Sequence, residues 1–246
     1  MMRRFAMTVL SASLVTSLAA CSVSQSKIPA AAEIEMAGMQ ALQGKQAEAF
    51  RYLEKWAQAG VVKAQRELAL ARSADPASYA EALKWLKAAA QAGDIEAQFA
   101  LAEANYKAQL GIEKNNAEAK VWYQAAALQN NAKAAFMLAR MSKYGEGTRA
   151  SAEGSVAWLL KASELGHAQA MFLLSNAYES GDGVKQDKEK ARDWLEQSAE
   201  GEFPPAIHAL ALLLETDNTQ HTDRQRARHL LKEASDERLL RWNRSQ

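Results

Sequence analysis

Residues 170–195 read AMFLLSNAYESGDGVKQDKEKARDWL: an alanine-rich apolar run, a turn at Gly181-Asp182-Gly183, and a charged stretch closing on Trp194-Leu195. Working outward, each landmark of this stretch recurs. Trp194 shares a column with Tyr52, Trp85, Trp122, Trp158 and Leu230, at spacings of 33, 37, 36, 36 and 36 residues. Leu174 aligns with Leu68, Leu101, Leu138 and Leu210, and Ala170 with Ala64, Ala97, Ala134 and Ala206. Gly60, Gly93, Asn130 and Gly166 fall just before the first four of those alanines. A fixed period of this length marks stacked units, each too small to bury its apolar face without neighbours.

Within a unit the pattern is helical. Ala97, Ala100, Leu101 and Ala104 follow the i, i+3, i+4, i+7 spacing of one helix face, and Ala119, Trp122, Tyr123 and Ala126 repeat it in a second helix. The Gly or Asn after the second helix suits a left-handed C-cap, where a Cβ is costly. With aromatics at 7% and four prolines in 246 residues, little in the composition favours strand. The chain therefore divides into about six antiparallel helix pairs: Ala31–Gly60, Val61–Gly93, Asp94–Asn130, Asn131–Gly166, His167–Glu202 and Phe203–Arg238. The Trp column is expected to fill the core between units. Pro204 and Pro205 stand where a first helical turn tolerates proline.

The unit from Ala170 through Gly181-Asp182-Gly183 to Asp187, Ala191 and Trp194-Leu195, with Gly145-Glu146-Gly147 as its counterpart one unit earlier, closely resembles the Sel1-like repeat, a tetratricopeptide-like motif. The resemblance covers roughly Ala31 to Arg238. The earlier units lack the Gly-x-Gly turn and are closer to plain tetratricopeptide hairpins. The resemblance implies an all-α, right-handed superhelical solenoid with a concave face.

The first twenty residues stand apart. Arg3 and Arg4 precede an apolar, Ser/Thr-containing run too short for a membrane span, which ends in Leu18-Ala19-Ala20-Cys21. This resembles a bacterial lipobox, which implies cleavage before Cys21 and acylation of that residue, the only cysteine of the chain. The expected organisation is a signal peptide over 1–20, a lipidated tether over 21–30, the repeats over 31–238 and a tail over 239–246. Ser22 beside the lipidated residue resembles outer-membrane sorting, so the expected location is the outer membrane, facing the periplasm. With the one thiol lipidated, no disulfide is expected.

Several chemistries are poorly served. A formal charge of +1 provides no basic field for nucleic acid. His167, His208, His221 and His229 show no metal-ligand spacing, and the Gly-x-Gly turns lack the preceding strand and following Lys-Ser/Thr of a phosphate loop. No nucleophile–base constellation is present, and no enzyme activity, metal or cofactor is expected.

The expectation is a scaffold. Arg66, Phe99, Phe136, Phe172 and His208 form a column two residues before the Leu column. In tetratricopeptide-like repeats the matching position faces the concave groove. So, by that correspondence, do Glu103, Arg140 and Asn176, and one turn later Tyr106, Lys143 and Glu179. Phe99, Phe136 and Phe172 would then form a ladder of rings gripping a protein partner, with packing against neighbouring helices as the alternative role. Similar lipoproteins assist envelope secretion or polysaccharide-export assemblies. The alternative is a direct binder of cell-wall or exported polysaccharide, or a regulator of a cell-wall hydrolase.

Overall fold

The computed structural model describes residues 28–43 and 47–216, together with Gln225, His229 and Lys232. The expectations for Cys21 and the leader, most of the tether, His221, Leu230 and the terminal tail lie outside the described residues.

Among the described residues the chain is helical throughout, with no strand. The helices are α1 (Ala31–Leu42), α2 (Ala47–Gln58), α3 (Val62–Arg72), α4 (Tyr79–Gln91), α5 (Ile95–Lys107), α6 (Asn116–Leu128), α7 (Ala132–Tyr144), α8 (Ala152–Glu164), α9 (Ala168–Ser180), α10 (Lys188–Glu200) and α11 (Pro204–Thr216). They pack chiefly in chain order, each against the next, so the architecture is a one-dimensional stack. The first pair departs from this, because α1 also lies closely against α3. Gly38 permits that approach: a Cβ there would stand 3.1 Å from Glu67 Cβ.

The small and large apolar columns explain why the stack closes. Ala64, Ala97, Ala134, Ala170 and Ala206 are each 0% exposed, and the five leucines aligned with Leu174 are 0–1% exposed. Alanines let adjacent backbones approach, and each fully buried leucine contributes roughly 1.5–3 kcal/mol. Trp85, Trp122, Trp158 and Trp194 are half-buried and pack against the core, Trp85 and Trp122 each joining two successive apolar clusters. The buried position is the next residue, at Leu53, Leu86, Tyr123, Leu159 and Leu195. One residue is about 100° of helix rotation, enough to turn the indole toward the rim. There Trp122 Nε1 donates 2.7 Å to Glu118.

The ends of the helices repeat as faithfully as their faces. Asn115, Ser151 and Asp187 cap α6, α8 and α10, their side chains accepting from the backbone N–H three residues on. Their own N–H groups donate to the carbonyls of Asn105, Ser142 and Tyr178 at 2.8, 2.8 and 3.0 Å, tying each second helix to the last turn of the first. After the second helices the left-handed conformation falls, as expected, on Gly60, Gly93, Asn130 and Gly166, with φ of 82°, 90°, 66° and 83°. In the fifth unit it falls on Glu202, at φ 57°, one residue beyond Gly201. Gly201 has another use, since a Cβ there would stand 2.8 Å from Ala168 Cβ.

The Gly-x-Gly turn joins units rather than helices alone. Its first glycine, Gly145 or Gly181, is the left-handed C-cap of α7 or α9. The second is pressed against the preceding unit. A Cβ on Gly147 would meet the Asn116 carbonyl oxygen at 2.5 Å, and one on Gly183 would stand 2.9 Å from Ala152 Cβ and closer still to the Ala152 carbonyl. Asn116 and Ala152 are the first residues of α6 and α8. Each turn thus seats on the start of the previous unit's second helix.

Candidate functional site

The aromatic column on the first helices reaches across unit boundaries. Its partners are the residues that open the following first helix. Arg66 pairs with Asp94 at 3.0 Å, Phe136 stacks on His167 at 4.5 Å and 14°, and Phe172 tilts against Phe203 at 5.5 Å. Phe99 instead rests on Tyr123, 5.7 Å away. An exposed ladder of rings is therefore not what these residues form: Phe136 is only 8% exposed, and Phe99 and Phe172 are half-buried. Phe136 is covered by His167, the cap residue of α9, and Phe172 by Phe203, just ahead of α11. His167 does both jobs, because its Nδ1 accepts the Ala170 N–H at 3.3 Å while its ring meets Phe136. Burial holds the imidazole below its ordinary pKa, which keeps Nδ1 free to accept.

The polar residues expected on the same face divide by unit. Glu103 and Tyr106 are half-buried, whereas Arg140, Lys143, Asn176 and Glu179 are exposed. Tyr106 donates 2.7 Å to Glu146 in the next unit's turn, and Lys143 repeats the link by pairing with Asp182 one unit later. Burial and the Glu146 carboxylate raise the Tyr106 phenol above its ordinary pKa.

Between α7, α8 and α9 this face opens into a hollow of about 190 Å³. Its floor is Ala139, Ser155, Val156, Leu159 and Ala177. Arg140, Lys143, Tyr144, Leu173 and Asn176 surround it, bringing together three of the expected site residues from two successive units. Glu179 joins Asn176 and Leu195 at a wider hollow of about 610 Å³ between α9, α10 and α11. Tyr144 and Leu173, 70% and 36% exposed, went unread in the sequence. The aromatic at 144 sits directly before the turn glycine, a position that could have singled it out.

One unit earlier the matching place is occupied from within. Tyr123, 0% exposed, stands where Leu159 stands in the next unit, and its hydroxyl donates to Glu103. Its ring meets Phe99 and, at 6.3 Å, Tyr106. Burial and the Glu103 carboxylate push this phenol far above its ordinary pKa, so it remains a donor. Tyr123 was visible in the sequence as the one break in a column of leucines.

All six units match the Sel1 repeat, at residues 37–61, 62–94, 95–131, 132–167, 168–202 and 204–238. The chain belongs to the Sel1 repeat family. A Sel1 repeat protein from Oxalobacter formigenes superimposes with a TM-score of 0.71 at 25% identity, over 84% of this chain and 88% of its own. A protective antigen of uropathogenic Escherichia coli strains, displaying an SLR fold, superimposes with a TM-score of 0.73 at 24% identity. That match covers 84% of this chain and 46% of the antigen, so the chain spans about half the antigen's length. No curated protein matches the chain. The boundaries of the Sel1 units agree with the helix pairs read from the columns to within a residue or two, except that the first unit begins at 37. Sel1 repeat stacks are typically non-catalytic scaffolds that mediate protein–protein interaction.

Proposed function

We propose that this Sel1 stack is a scaffold that holds a protein partner against the face of its first helices, centred on α7 and α9. The observation carrying this reading is the hollow between α7, α8 and α9, where exposed Arg140, Asn176, Tyr144 and Leu173 surround an apolar floor. Aromatic and arginine anchors around an apolar centre are the usual makings of a protein-binding hot spot. We further propose that the scaffold is tethered through lipid on Cys21, in the outer membrane and facing the periplasm, in support of an envelope secretion or polysaccharide-export assembly. Leu18-Ala19-Ala20-Cys21 behind Arg3 and Arg4 supports the tether, and several acyl chains would make a stable anchor.

Photo-crosslinking residues at positions 144 and 176, compared with position 157 on the exposed side of α8, test the face in intact cells. Crosslinks to one defined protein from 144 and 176 but not 157 are expected. Equal labelling from all three, or none, would refute the assignment. For the tether, Cys21→Ala is expected to move the protein from the detergent phase to the aqueous phase. Unchanged partition would defeat it.

A further inference from the structure

Among the positions at which the seam between α7, α8 and α9 differs from the seam before it, three in register bear on the hollow. Tyr123 becomes Leu159, Glu103 becomes Arg140, and Tyr106 becomes Lys143. In the earlier seam the protein itself supplies an aromatic ring and an acid, and the two hydrogen-bond to each other. In the later seam the ring is missing, a hollow stands over Leu159, and the acid has been replaced by a base. Its volume of about 190 Å³ exceeds the roughly 150 Å³ of a dry cavity that takes up benzene.

The charge at the rim is available. Among the described residues Arg140 has no carboxylate within ion-pairing distance, and its one side-chain hydrogen bond runs to Met137 Sδ at 3.8 Å. Lys143 is paired with Asp182, whereas Arg140, within electrostatic range of Tyr106 and Tyr123, has no ion-pair partner among the described residues. Asn176 is exposed on the opposite wall, with an amide able to donate as well as accept.

From this we infer that the hollow is a socket for one aromatic side chain of a partner peptide, flanked by a carboxylate that binds Arg140. The partner restores what Tyr123 and Glu103 provide in the earlier seam: a ring in the niche and an acid beside it. An arginine presents a planar fork to a carboxylate, which fixes the peptide's direction as well as its charge. This inference rests on the scaffold reading, whose partner it describes in chemical terms.

The test uses an acetylated, amidated peptide with a single phenylalanine between two glutamates, titrated into the full chain by NMR. The controls carry lysines for the glutamates or alanine for the phenylalanine. The glutamate–phenylalanine peptide is expected to bind, shifting signals of Leu159 and Leu173, with each control weaker by about tenfold or more. Leu159→Tyr fills the niche from within, as Tyr123 does, and should lower affinity at least about tenfold with the melting temperature retained. Arg140→Glu, an exposed substitution that leaves the packing alone, should transfer the preference to the lysine-flanked peptide. Equal binding of all three peptides, or affinities that ignore both substitutions, would overturn the socket. Crosslinks from 144 and 176 that survive Leu159→Tyr would sink the socket while sparing the scaffold. Loss of those crosslinks from the unmodified chain would sink the scaffold itself.

Discussion

The seam between the third and fourth pairs and the seam between the fourth and fifth are built on one plan. In both, a turn glycine sits on the first residue of the preceding second helix, and a first-helix side chain reaches the acid of the next turn. They differ in what fills the space over the second helix. Tyr123 closes the earlier seam, with its hydroxyl on Glu103, whereas Leu159 leaves the later one open beneath Arg140. A repeat stack can therefore keep its joints constant and vary the residues over the second helix, so that one joint is filled from within and another is left open.

The sharpest way to break this comparison is to empty both seams. Tyr123→Ala removes a fully buried ring and the hydroxyl that donates to Glu103, and should destabilise the chain by about 3–5 kcal/mol. Leu159→Ala should cost about 2 kcal/mol, at the low end for such a change because a hollow already borders the site. Equal losses in denaturant unfolding would show that the two seams are not differently filled. Next in size, Gly147→Ala and Gly183→Ala each force a Cβ toward main-chain atoms from a left-handed backbone. Each should cost about 3 kcal/mol, and the two losses should match, since the joint is common to both seams.

Glu202→Gly addresses a seam where the left-handed residue is not a glycine. It should stabilise the protein by about 1 kcal/mol in thermal unfolding, while Gly201→Ala, against Ala168, should destabilise it. The smallest effect concerns pH. Asn131 and His167 occupy the same cap position in successive units. His167 has its pKa lowered by burial in the fold, so the unfolded chain binds its proton more readily. Its contribution is thus present above the ordinary histidine range and is lost as pH falls through the folded value. Melting temperatures of His167→Asn and the parent should differ in slope below about pH 6.5, the parent falling more steeply. Parallel slopes would remove His167 from the pH response.

How much of this was legible beforehand depends on the residue. The columns of Ala170 and Leu174 disclosed the units, their helices and their boundaries, because burial between identical units leaves the same residue type at the same period. Gly60, Gly93, Asn130 and Gly166 disclosed the left-handed caps for a similarly local reason. The tryptophans disclosed the contact between units, but only the packing of neighbouring helices shows that Leu86 or Leu159 is buried more completely than the indole beside it. The phenylalanines left two roles open for a related reason. Whether Phe136 faces a groove or the next unit depends on the rotation between units, which no single unit encodes. A signal was nonetheless present in pairs: Arg66 with Asp94, Phe136 with His167 and Phe172 with Phe203 match in character across the boundary. Arg140 and Asn176, expected to face the groove, are exposed, but the hollow beside them needs three helices at once.

The seating of Gly147 on Asn116 and of Gly183 on Ala152 has a consequence for how such a chain can lengthen. The glycine approaches the main chain of its neighbour, which is common to every residue type. A duplicated stretch of gene would encode a unit whose mortise fits whatever tenon precedes it, before any side chain has had time to adapt.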